Sequence, residues 1–312
     1  MAAWWAINID RDNEKLYDAF YEKAAIVENV CDEILDKNEN DANALFYKGG
    51  AVGYRGMIHS LNDSWMQAAQ DGKTALNLLD KANELDPNNV DVKFGLGIYN
   101  FFAEYVPEKY PIVKPLMIIF PKGDKIKGLV QIKDISNNSK YAKTEAKFIL
   151  AYLYSYYEKN YYEAQFYAQS LVVAFPENPL FRQLLNRSFI GMSSWQQAID
   201  GWGKVLEMCD SNRFGFTDKV RREANYYIGV SYLVLRKLNE SEKYLLKAEE
   251  MSPRVDKEQT EIYLDALLKL GMTYDLLGNR NKSDEYYNRV INSNASSPLK
   301  EQAERWKRER YR

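Results

Sequence analysis

The residues that come nearest to a chemical motif are Asp71-Gly72-Lys73-Thr74, because Gly-Lys-Thr ends the loop that binds the phosphates of nucleotides. Such a loop needs another glycine five residues before Gly72 and a strand in front of it. Gln67 stands at that position, no strand pattern precedes it, and Lys73 falls in the middle of a predicted helix. We therefore expect a helix here, whose backbone N–H groups are already bonded, and no nucleotide site.

A second candidate is the segment GLGIYN, in which Gly95 and Gly97 supply two of the three glycines of a dinucleotide-binding loop. It lies inside a predicted helix, so close packing against another helix explains both glycines. Asn100 is an amide among apolar and aromatic residues and needs a hydrogen-bond partner if it is buried. We expect that partner in the proline-rich segment 106–122, with a ligand contact as the alternative.

Three lysines, Lys122, Lys125 and Lys127, lie around the start of the next predicted helix. Because the N-terminus of a helix attracts negative charge, they could bind an anion. Helix initiation explains the same segment without a ligand, with Gly123 turning the chain and Asp124 capping the first turn.

Side chains for catalysis or metal binding are scarce. His59 is the only histidine, which excludes zinc sites built on several histidines and a Ser–His nucleophile. Cys31 and Cys209 lie far apart, and we expect Cys31 to be a small buried thiol on an apolar helical face with Val27 and Ile34. No pair of carboxylates stands out from the solvated faces. The sequence predicts no catalytic residue, no metal ligand and no cofactor, so we expect a protein that is not an enzyme.

The elements that would position a site are helices, and they repeat. A small residue and an aromatic residue three apart let a second helix approach, which then offers small and large side chains at spacings of four and three. This pattern is typical of a tetratricopeptide hairpin. Its two clearest copies are Gly229, Tyr232, Ser241, Leu245, Ala248 and Pro253, and Gly271, Tyr274, Gly278, Ser283, Tyr287 and Val290.

The spacing of the second helix recurs upstream, from Ala75, Ala164 and Ala198. The starts at 164 and 198 are 34 residues apart, which is the tetratricopeptide period. Later starts, at Ser241 and Ser283, follow after 43 and 42 residues, so the loops between those repeats are longer. The sequence predicts an all-α, tetratricopeptide-like right-handed α-solenoid of about six helical hairpins.

We expect one solenoid over residues 1–312, with divergent hairpins over 8–140 and more regular repeats over 141–295. Residues 298–312 carry six basic and three acidic side chains. A polar helix that caps the solenoid explains them, with a nucleic-acid patch as the alternative. The whole chain has 42 basic and 44 acidic residues, and its net charge of -2 gives no general attraction to nucleic acid or to an anionic membrane.

The N-terminal half contains predicted helices at residues 15–35, 42–60 and 65–85. The second of them carries Gly49, Gly50 and Gly53, and each glycine inside a helix costs about 0.5–1 kcal/mol relative to alanine. A neighbouring helix that packs against the bare backbone would offset this cost. We therefore expect close helix contact along these three glycines.

The segment 106–122 departs from the hairpin pattern. Predicted helices at 91–105 and 125–135 flank it, and four prolines forbid a regular helix through it. It is longer than most ordered loops and unusually apolar. It either fills the interior of the solenoid or acts as a hydrophobic lid or docking segment.

No stretch of this sequence is long and apolar enough to span a bilayer, and no signal peptide opens it. Residues 2–7, AAWWAI, look like the end of an amphipathic helix. We expect Trp4 and Trp5 to be exposed unless an earlier element covers them.

Aromatic residues are dense over 148–175, where helical spacing assigns most of them to the repeat core. Tyrosines left over on the concave face would suit peptide recognition, since they offer contact area at a low entropic cost. The residues that we expect to contact a partner are Tyr54, Tyr99, Asn100, Lys114, Lys125, Tyr156 and Arg182.

The run 44–181 resembles a family shared by bacteria and eukaryotes that includes the inclusion-body clearance protein. Four segments carry the resemblance: 44–56 (ALFYKGGAVGYRG), 85–102 (LDPNNVDVKFGLGIYNFF), the proline-rich segment 106–122 and 120–132 (FPKGDKIKGLVQI). The resemblance implies an all-helical repeat protein without enzymatic activity that acts through protein contacts. Bacterial members of this kind carry a signal peptide and a further hairpin before such a tryptophan pair. The resemblance thus implies a periplasmic or exported protein with its N-terminus removed, and it transfers no binding residue.

From the sequence we expect a non-enzymatic scaffold that binds a peptide or a protein segment on its concave face, with no nucleic acid and no membrane span. The alternative is a protein that binds a small molecule or a lipid, with the apolar loop 106–122 as a lid over the glycine-rich helices.

Overall fold

The computed structural model of the chain describes residues 1–109, 114 and 120–312, and every regular element in this part is an α-helix. In chain order the helices are α1 (Ala2–Ile9), α2 (Glu14–Leu35), α3 (Ala42–Leu61), α4 (Trp65–Leu85), α5 (Val92–Lys109), α6 (Lys125–Asn138), α7 (Lys143–Tyr156), α8 (Tyr161–Ala174), α9 (Pro179–Gly191), α10 (Trp195–Asp210), α11 (Asp218–Val234), α12 (Leu238–Val255), α13 (Glu261–Leu276), α14 (Arg280–Ile291) and α15 (Ser297–Glu309).

Within the described residues, helices α3 to α14 form six consecutive pairs, from α3 with α4 to α13 with α14. The number of helical hairpins predicted from the sequence is therefore confirmed. Polar residues begin several of the helices: Asp41 accepts from the backbone N–H of Ala44 at 2.9 Å, and Asp124 accepts from that of Lys127 at 2.8 Å. Because these N–H groups have no partner within the helix, the two bonds fix where α3 and α6 begin and confirm the predicted capping role of Asp124.

The structure divides into two compact units, Met1–Leu153 and Tyr154–Arg312, and the division falls inside α7. In the first unit, a core of aliphatic residues from α3, α4 and α5 holds the hairpins together. In the second, the core runs from α11 to α15. The single solenoid over residues 1–312 stays a prediction.

The repeat glycines lie where two helices of a hairpin meet. A Cβ added to Gly229 would lie 2.7 Å from Cγ of Leu245, and one added to Gly271 would lie 2.5 Å from the ring of Tyr287. Leu245 and Tyr287 are fully buried. The predicted close approach at both glycines is confirmed.

Along α3 the predicted glycine contacts are confirmed at two positions and wrong at the third. A Cβ on Gly49 would lie 3.0 Å from the side chain of Leu79, and one on Gly53 would lie 3.6 Å from Ala75. Gly50 has open space around it, with nothing within 4 Å. Neighbouring residues on a helix point about 100° apart, so Gly50 turns away from α4 when Gly49 faces it.

Helices α5 and α6 touch through their backbones. A Cβ on Gly128 would lie 2.6 Å from the carbonyl oxygen of Gly97, closer than any real side-chain contact. The helix-packing interpretation of Gly97 is therefore confirmed.

The expectation that α5 ends before the proline-rich segment is wrong by four residues, because the helix continues through Pro107 to Lys109. Proline removes one backbone N–H and crowds the preceding turn. The rest of the predicted loop, residues 110–113 and 115–119, lies outside the described residues.

The tryptophan pair is covered by later elements, so the expectation that it needs an earlier one is wrong. Trp4 is only 2% exposed and packs against Tyr54 and Phe148, with ring centroids 5.5 and 5.8 Å away. Trp5 donates its indole N–H to the buried carboxylate of Glu145 at 2.9 Å. Helix α1 is thus held by α3 and α7.

Helix α2 buries less than its apolar pattern predicts. Cys31 is buried as expected, but Val27 and Ile34 are 38% and 39% exposed. The predicted apolar face with all three residues is wrong, because α2 packs on α3 along a narrower stripe that includes Phe20 and Ala24.

The last helix, α15, packs on α13 and α14 through its buried residues Leu299 and Ala303. Arg280 on α14 donates to the backbone carbonyl of Lys307. The basic residues of α15 that point away from these contacts are exposed, which agrees with a polar outer surface. None of the helices in the described part is long and apolar enough to cross a membrane.

Candidate functional site

A row of polar side chains in the second unit joins the first helices of four successive hairpins, of which α7 belongs to this unit only from Tyr154 onward. The helices are α7, α9, α11 and α13, and each is bonded to the next through side chains. We name this row the first-helix ladder. Its members are Tyr156, Arg187, Glu223, Tyr226, Asp265 and Lys269.

Arg187 on α9 is the centre of the first half of the ladder. Its Nε donates to Oε1 of Glu223 on α11 at 2.6 Å, and its Nη2 contacts the same carboxylate. Its Nη1 donates to the hydroxyl of Tyr156 on α7, and the guanidinium lies 5.7 Å from the centre of that ring. Burial acts to lower the pKa of Arg187, but the charge of Glu223, the neighbouring tyrosines and the hydrogen bond to Glu223 together outweigh burial and raise the pKa. The guanidinium therefore stays charged, and each of its three nitrogens has a partner.

The second half of the ladder joins α11 to α13. The hydroxyl of Tyr226 donates to Oδ2 of Asp265 at 2.5 Å, and Nζ of Lys269 lies 3.4 Å from Oδ1 of the same carboxylate. Burial, followed by the charge of Asp265, raises the pKa of Tyr226, because both oppose a phenolate at this place. Tyr226 is thus a permanent hydrogen-bond donor to Asp265.

The ladder is shielded but not closed off from solvent. The side chains of Arg187 and Lys269 keep 30% and 20% of their surface exposed, and those of Glu223 and Asp265 keep 12% and 19%. Its two cations and two carboxylates form two neutral pairs. The surface thus offers donors, acceptors and tyrosine rings without a net charge.

The repeat itself positions both carboxylates. Glu223 lies six residues before Gly229, and Asp265 lies six residues before Gly271, so the two occupy the same place in successive repeats. Because each glycine fixes its hairpin by close packing, residues in the same register face the same direction. Sequence reasoning missed these positions, although the register of the doubled motif could have found them.

Of the seven residues predicted to contact a partner, Tyr156 lies in the ladder. Arg182 shares helix α9 with Arg187, and its Nε donates to the carbonyl oxygen of Pro176 at 2.5 Å. Tyr54 belongs to the first unit, where it packs against Trp4, and burial raises its pKa. Tyr54 therefore sits largely within the core of that unit.

Tyr99, Asn100 and Lys125, three more of the predicted residues, lie where α5 and α6 meet. Tyr99 donates its hydroxyl to the carbonyl oxygen of Pro121 at 2.5 Å, and the backbone N–H of Lys125 donates to Glu104 at 2.7 Å. The remaining predicted residue, Lys114, is exposed.

Asn100 is the third of these residues. It donates to Oε1 of Gln131 on α6 at 2.8 Å, so its amide has a partner on the packed helix. The contact between Gly97 and Gly128 brings the two amides together. The expected bond to segment 106–122 falls mostly on residues that the structure does not describe and stays a prediction.

The phosphate-loop candidate is part of α4. Asp71 is buried and accepts hydrogen bonds from Nε and Nη2 of Arg55, each at 2.8 Å. The hydroxyl of Thr74 donates to the backbone carbonyl of Gln70 at 3.0 Å. Arg55 also contacts Glu28 on α2. The carboxylate thus joins α4 to α3, and the segment has the structural role that the sequence predicts.

A buried carboxylate that sequence reasoning missed lies in the turn before α5. Asp91 accepts from the hydroxyl of Ser139 and from the backbone N–H groups of Tyr141 and Ala142 at 3.1 and 3.0 Å. It therefore caps the start of α7 from about fifty residues away. No local pattern reveals this role, because the bonded groups are distant in sequence.

Among the described residues, no group of three or more His, Cys, Asp or Glu side chains could hold a metal ion. The two best-formed cavities of this part of the chain are surface depressions beside Asp10 to Lys15 and beside Trp306 and Arg312. Neither adjoins the glycine-rich helices. The lid of the lipid-binding alternative falls mostly on residues 110–113 and 115–119, which the structure does not describe, and stays a prediction.

Comparisons with known proteins agree with this architecture. A family model of the tetratricopeptide repeat matches residues 265–297. The chain is similar in structure to PilF of Pseudomonas aeruginosa, at 14% identity and a TM-score of 0.50 over 82% of this chain and 96% of that one. It is also similar to the apo form of RapI, at 15% identity and a TM-score of 0.49 over 67% of this chain and 82% of that one. The similarity to yeast Tom70 has 16% identity and a TM-score of 0.45 over 94% of this chain and 59% of that one. No curated protein matches it.

At such low sequence identities a structural similarity shows only the fold, and the similarity to PilF is the one that supports the fold of this chain. With the repeat match, it confirms the predicted all-α, tetratricopeptide-like solenoid. Folds of this kind present stacked helices as extended surfaces for protein partners and are in general not catalytic. The closer resemblance to the inclusion-body clearance family stays a prediction.

Proposed function

We propose that this tetratricopeptide-type protein is a non-catalytic scaffold whose second unit binds an extended segment of a protein partner along the first-helix ladder. The observation that carries the proposal is the continuity of the ladder across four first helices. A surface shared by successive repeats suits a ligand that runs across them, and an extended chain does so with its backbone groups and alternate side chains.

The dimensions support an extended segment. Packed helices lie 8–10 Å apart, so four of them in a row span about 30 Å, which an extended segment of about nine residues covers. Tyr156 and Tyr226 add rigid contact area, and the charged members of the ladder add donors and acceptors for main-chain groups. No catalytic group is needed for this role.

The experiment is selection from a displayed library of random peptides, followed by binding measurements with variants. The test variant is Arg187→Gln combined with Tyr226→Phe, which removes the contacts of Arg187 with Glu223 and Tyr156 and the hydrogen bond from Tyr226 to Asp265. The control is Gln196→Ala combined with Lys204→Ala, both exposed on α10. The selected peptides should lose at least about tenfold in affinity, about 1.4 kcal/mol, with the ladder variant and keep it with the control.

Circular dichroism and a melting curve would establish that both variants fold. If no peptide is enriched, or if the enriched peptides bind the ladder variant as well as the unmodified protein, the proposal is wrong.

A further inference from the structure

We propose that Glu223 and Asp265 determine the specificity of the first-helix ladder by neutralising its two cations, so that the ladder selects uncharged segments and rejects acidic ones. This inference rests on the proposed function and adds the chemical class of the partner.

Every nitrogen of the Arg187 guanidinium already has a partner, and the edge formed by Nε and Nη2, which suits a carboxylate best, is occupied by Glu223. Nε and Nη2 contact the carboxylate of Glu223, and Nη1 donates to the hydroxyl of Tyr156. A carboxylate of a partner that took this edge would have to displace Glu223, whose side chain is 12% exposed, and would leave that charge largely buried without its cation. Such a charge is strongly unfavourable, because little water reaches it.

The second cation is balanced in the same way. Lys269 lies 3.4 Å from Asp265, one turn away on α13, and Tyr226 holds the same carboxylate from α11. An acidic segment along the ladder would therefore lose water from its charges without finding an unpaired cation in return, which is unfavourable. The matching positions of Glu223 and Asp265 in their repeats place this cost at two points of one path.

An uncharged extended segment meets no such obstacle. Its backbone N–H groups can donate to carboxylate oxygens, which accept more than one hydrogen bond, and its carbonyl groups can accept from the ammonium group of Lys269. Its apolar side chains can pack on the rings of Tyr156 and Tyr226. The ladder thus fits the main chain of a neutral partner better than an acidic one.

The experiment compares neutral, acidic and basic versions of one fluorescein-labelled peptide of about nine residues, the length that spans the ladder. The starting peptide is the neutral sequence most enriched in the displayed library, and its charged versions replace alternate polar residues by Glu or by Lys. Binding is measured by fluorescence anisotropy at one fixed, low salt concentration, since salt screens the effect. The unmodified protein should bind the neutral version at least about tenfold more tightly than the acidic one.

The first variant is Glu223→Gln, which keeps the shape and removes one negative charge. We expect the ratio of acidic to neutral affinity to rise about tenfold, because Arg187 becomes available to the partner. Glu207→Gln on α10 is the matched control, since Glu207 is exposed away from the ladder, and it should leave the ratio unchanged. If Glu223→Gln fails to fold, Arg187→Gln with Glu223→Gln supplies the test, because the uncharged pair should weaken the discrimination without leaving an unpaired cation.

The outcomes separate the two proposals. If a ladder-dependent peptide binds equally well in its neutral and acidic versions, or better in the acidic one, the specificity inference falls and the proposed function stands. If Glu223→Gln and Glu207→Gln change the ratio alike, Glu223 has no special role. If no peptide shows ladder-dependent binding, both proposals fall.

Discussion

The backbone N–H of Tyr311 donates to the carboxylate of Asp275 at 2.9 Å, and this bond joins the segment after α15 to the end of α13. The carboxylate also accepts from Ser283, Tyr287 and Arg280 at 2.7, 2.8 and 2.9 Å. Its side chain is only 1% exposed. One buried anion therefore holds together the elements at the C-terminal side of the second unit.

Asp275 should make the stability of the second unit depend on pH. Burial acts to raise its pKa, but the four donors outweigh burial and lower it. Because the pKa is lower in the folded state, the stabilisation is present above the ordinary pKa of an aspartate and is lost as the pH falls through the folded pKa. Urea unfolding from pH 7 down to pH 3 should show this loss, with the steepest part below about pH 4.

Asp275→Asn tests the assignment. At pH 7 it should destabilise the unit by about 2–4 kcal/mol, because the four donors lose a charged acceptor. Its stability should also depend less on pH below about 4 than that of the parent. Asp18→Asn, an exposed position on α2, is the control and should keep the pH dependence of the parent. A variant that follows the parent curve at every pH would contradict the role of Asp275.

Two glycines on α10 should respond to alanine in opposite directions. A Cβ on Gly201 would lie 2.1 Å from Oδ1 of Asn186, which is 3% exposed and too short to move away. Gly203 has nothing within 4 Å. Gly201→Ala should destabilise by about 1–3 kcal/mol through overpacking, and Gly203→Ala should stabilise by about 0.5–1 kcal/mol through helix propensity.

Chemical denaturation of both alanine variants measures the difference directly. They share a helix and a chemical change, so each is the control of the other. Equal shifts in the two midpoints would show that Asn186 does not confine Gly201.

The doubled motif makes a similar prediction for leucine. Gly229→Leu and Gly271→Leu should each destabilise by about 1–3 kcal/mol, because the buried residues Leu245 and Tyr287 fill the space beside them. Gly50→Leu, at an open position on α3, should have a much smaller effect. Thermal melts of the three variants measure these effects. If Gly229→Leu and Gly271→Leu melt at the same temperature as the parent, the close packing at the two helix crossings is contradicted.

These glycines also show how much of the fold can be read from the sequence. Gly229 and Gly271 follow a local period, and the same period gives the helices and the number of hairpins. Gly49 and Gly50 look alike in the sequence, but they point in different directions on the helix, which residue type alone does not show.

The candidate site was harder to predict. Arg187 and Glu223 are 36 residues apart, and Asp91 and Ser139 are 48 apart. Neither pair has a local signal, because the packing of one hairpin on the next selects each partner. Tyr156 stands out in the sequence as an aromatic residue beyond those that the repeat core needs. The charged members of the ladder look like ordinary solvent-exposed residues.

The two cysteines should be protected in the folded protein. Burial is the main cause that raises the pKa of Cys209 to about 11, and burial also raises the pKa of Cys31. The thiolate is the reactive form, so only about one Cys209 in a thousand would be ionised at pH 8 even if the reagent reached it. Ellman's reagent should give almost no signal with the native protein at pH 8.

The same reagent in urea should report both thiols per chain. This denatured sample serves as the control for the reagent. Rapid reaction of one thiol without denaturant would contradict the buried position of at least one cysteine.

The buried ion pair between Arg222 and Asp256 should be costly to break and easy to replace. Nη2 of Arg222 donates to Oδ1 of Asp256 at 2.9 Å, and their side chains are 5% and 3% exposed. Asp256→Asn leaves the arginine charge buried beside a neutral amide and should destabilise by about 3–5 kcal/mol. Arg222→Met with Asp256→Leu removes both charges and retains apolar volume, so we expect it to destabilise by less than Asp256→Asn alone.

Urea unfolding of the single and double variants measures both effects. If the double variant is the less stable of the two, the hydrogen bonds of the pair, including the one that Asp256 accepts from Thr260 at 3.0 Å, matter more than the burial of its charges.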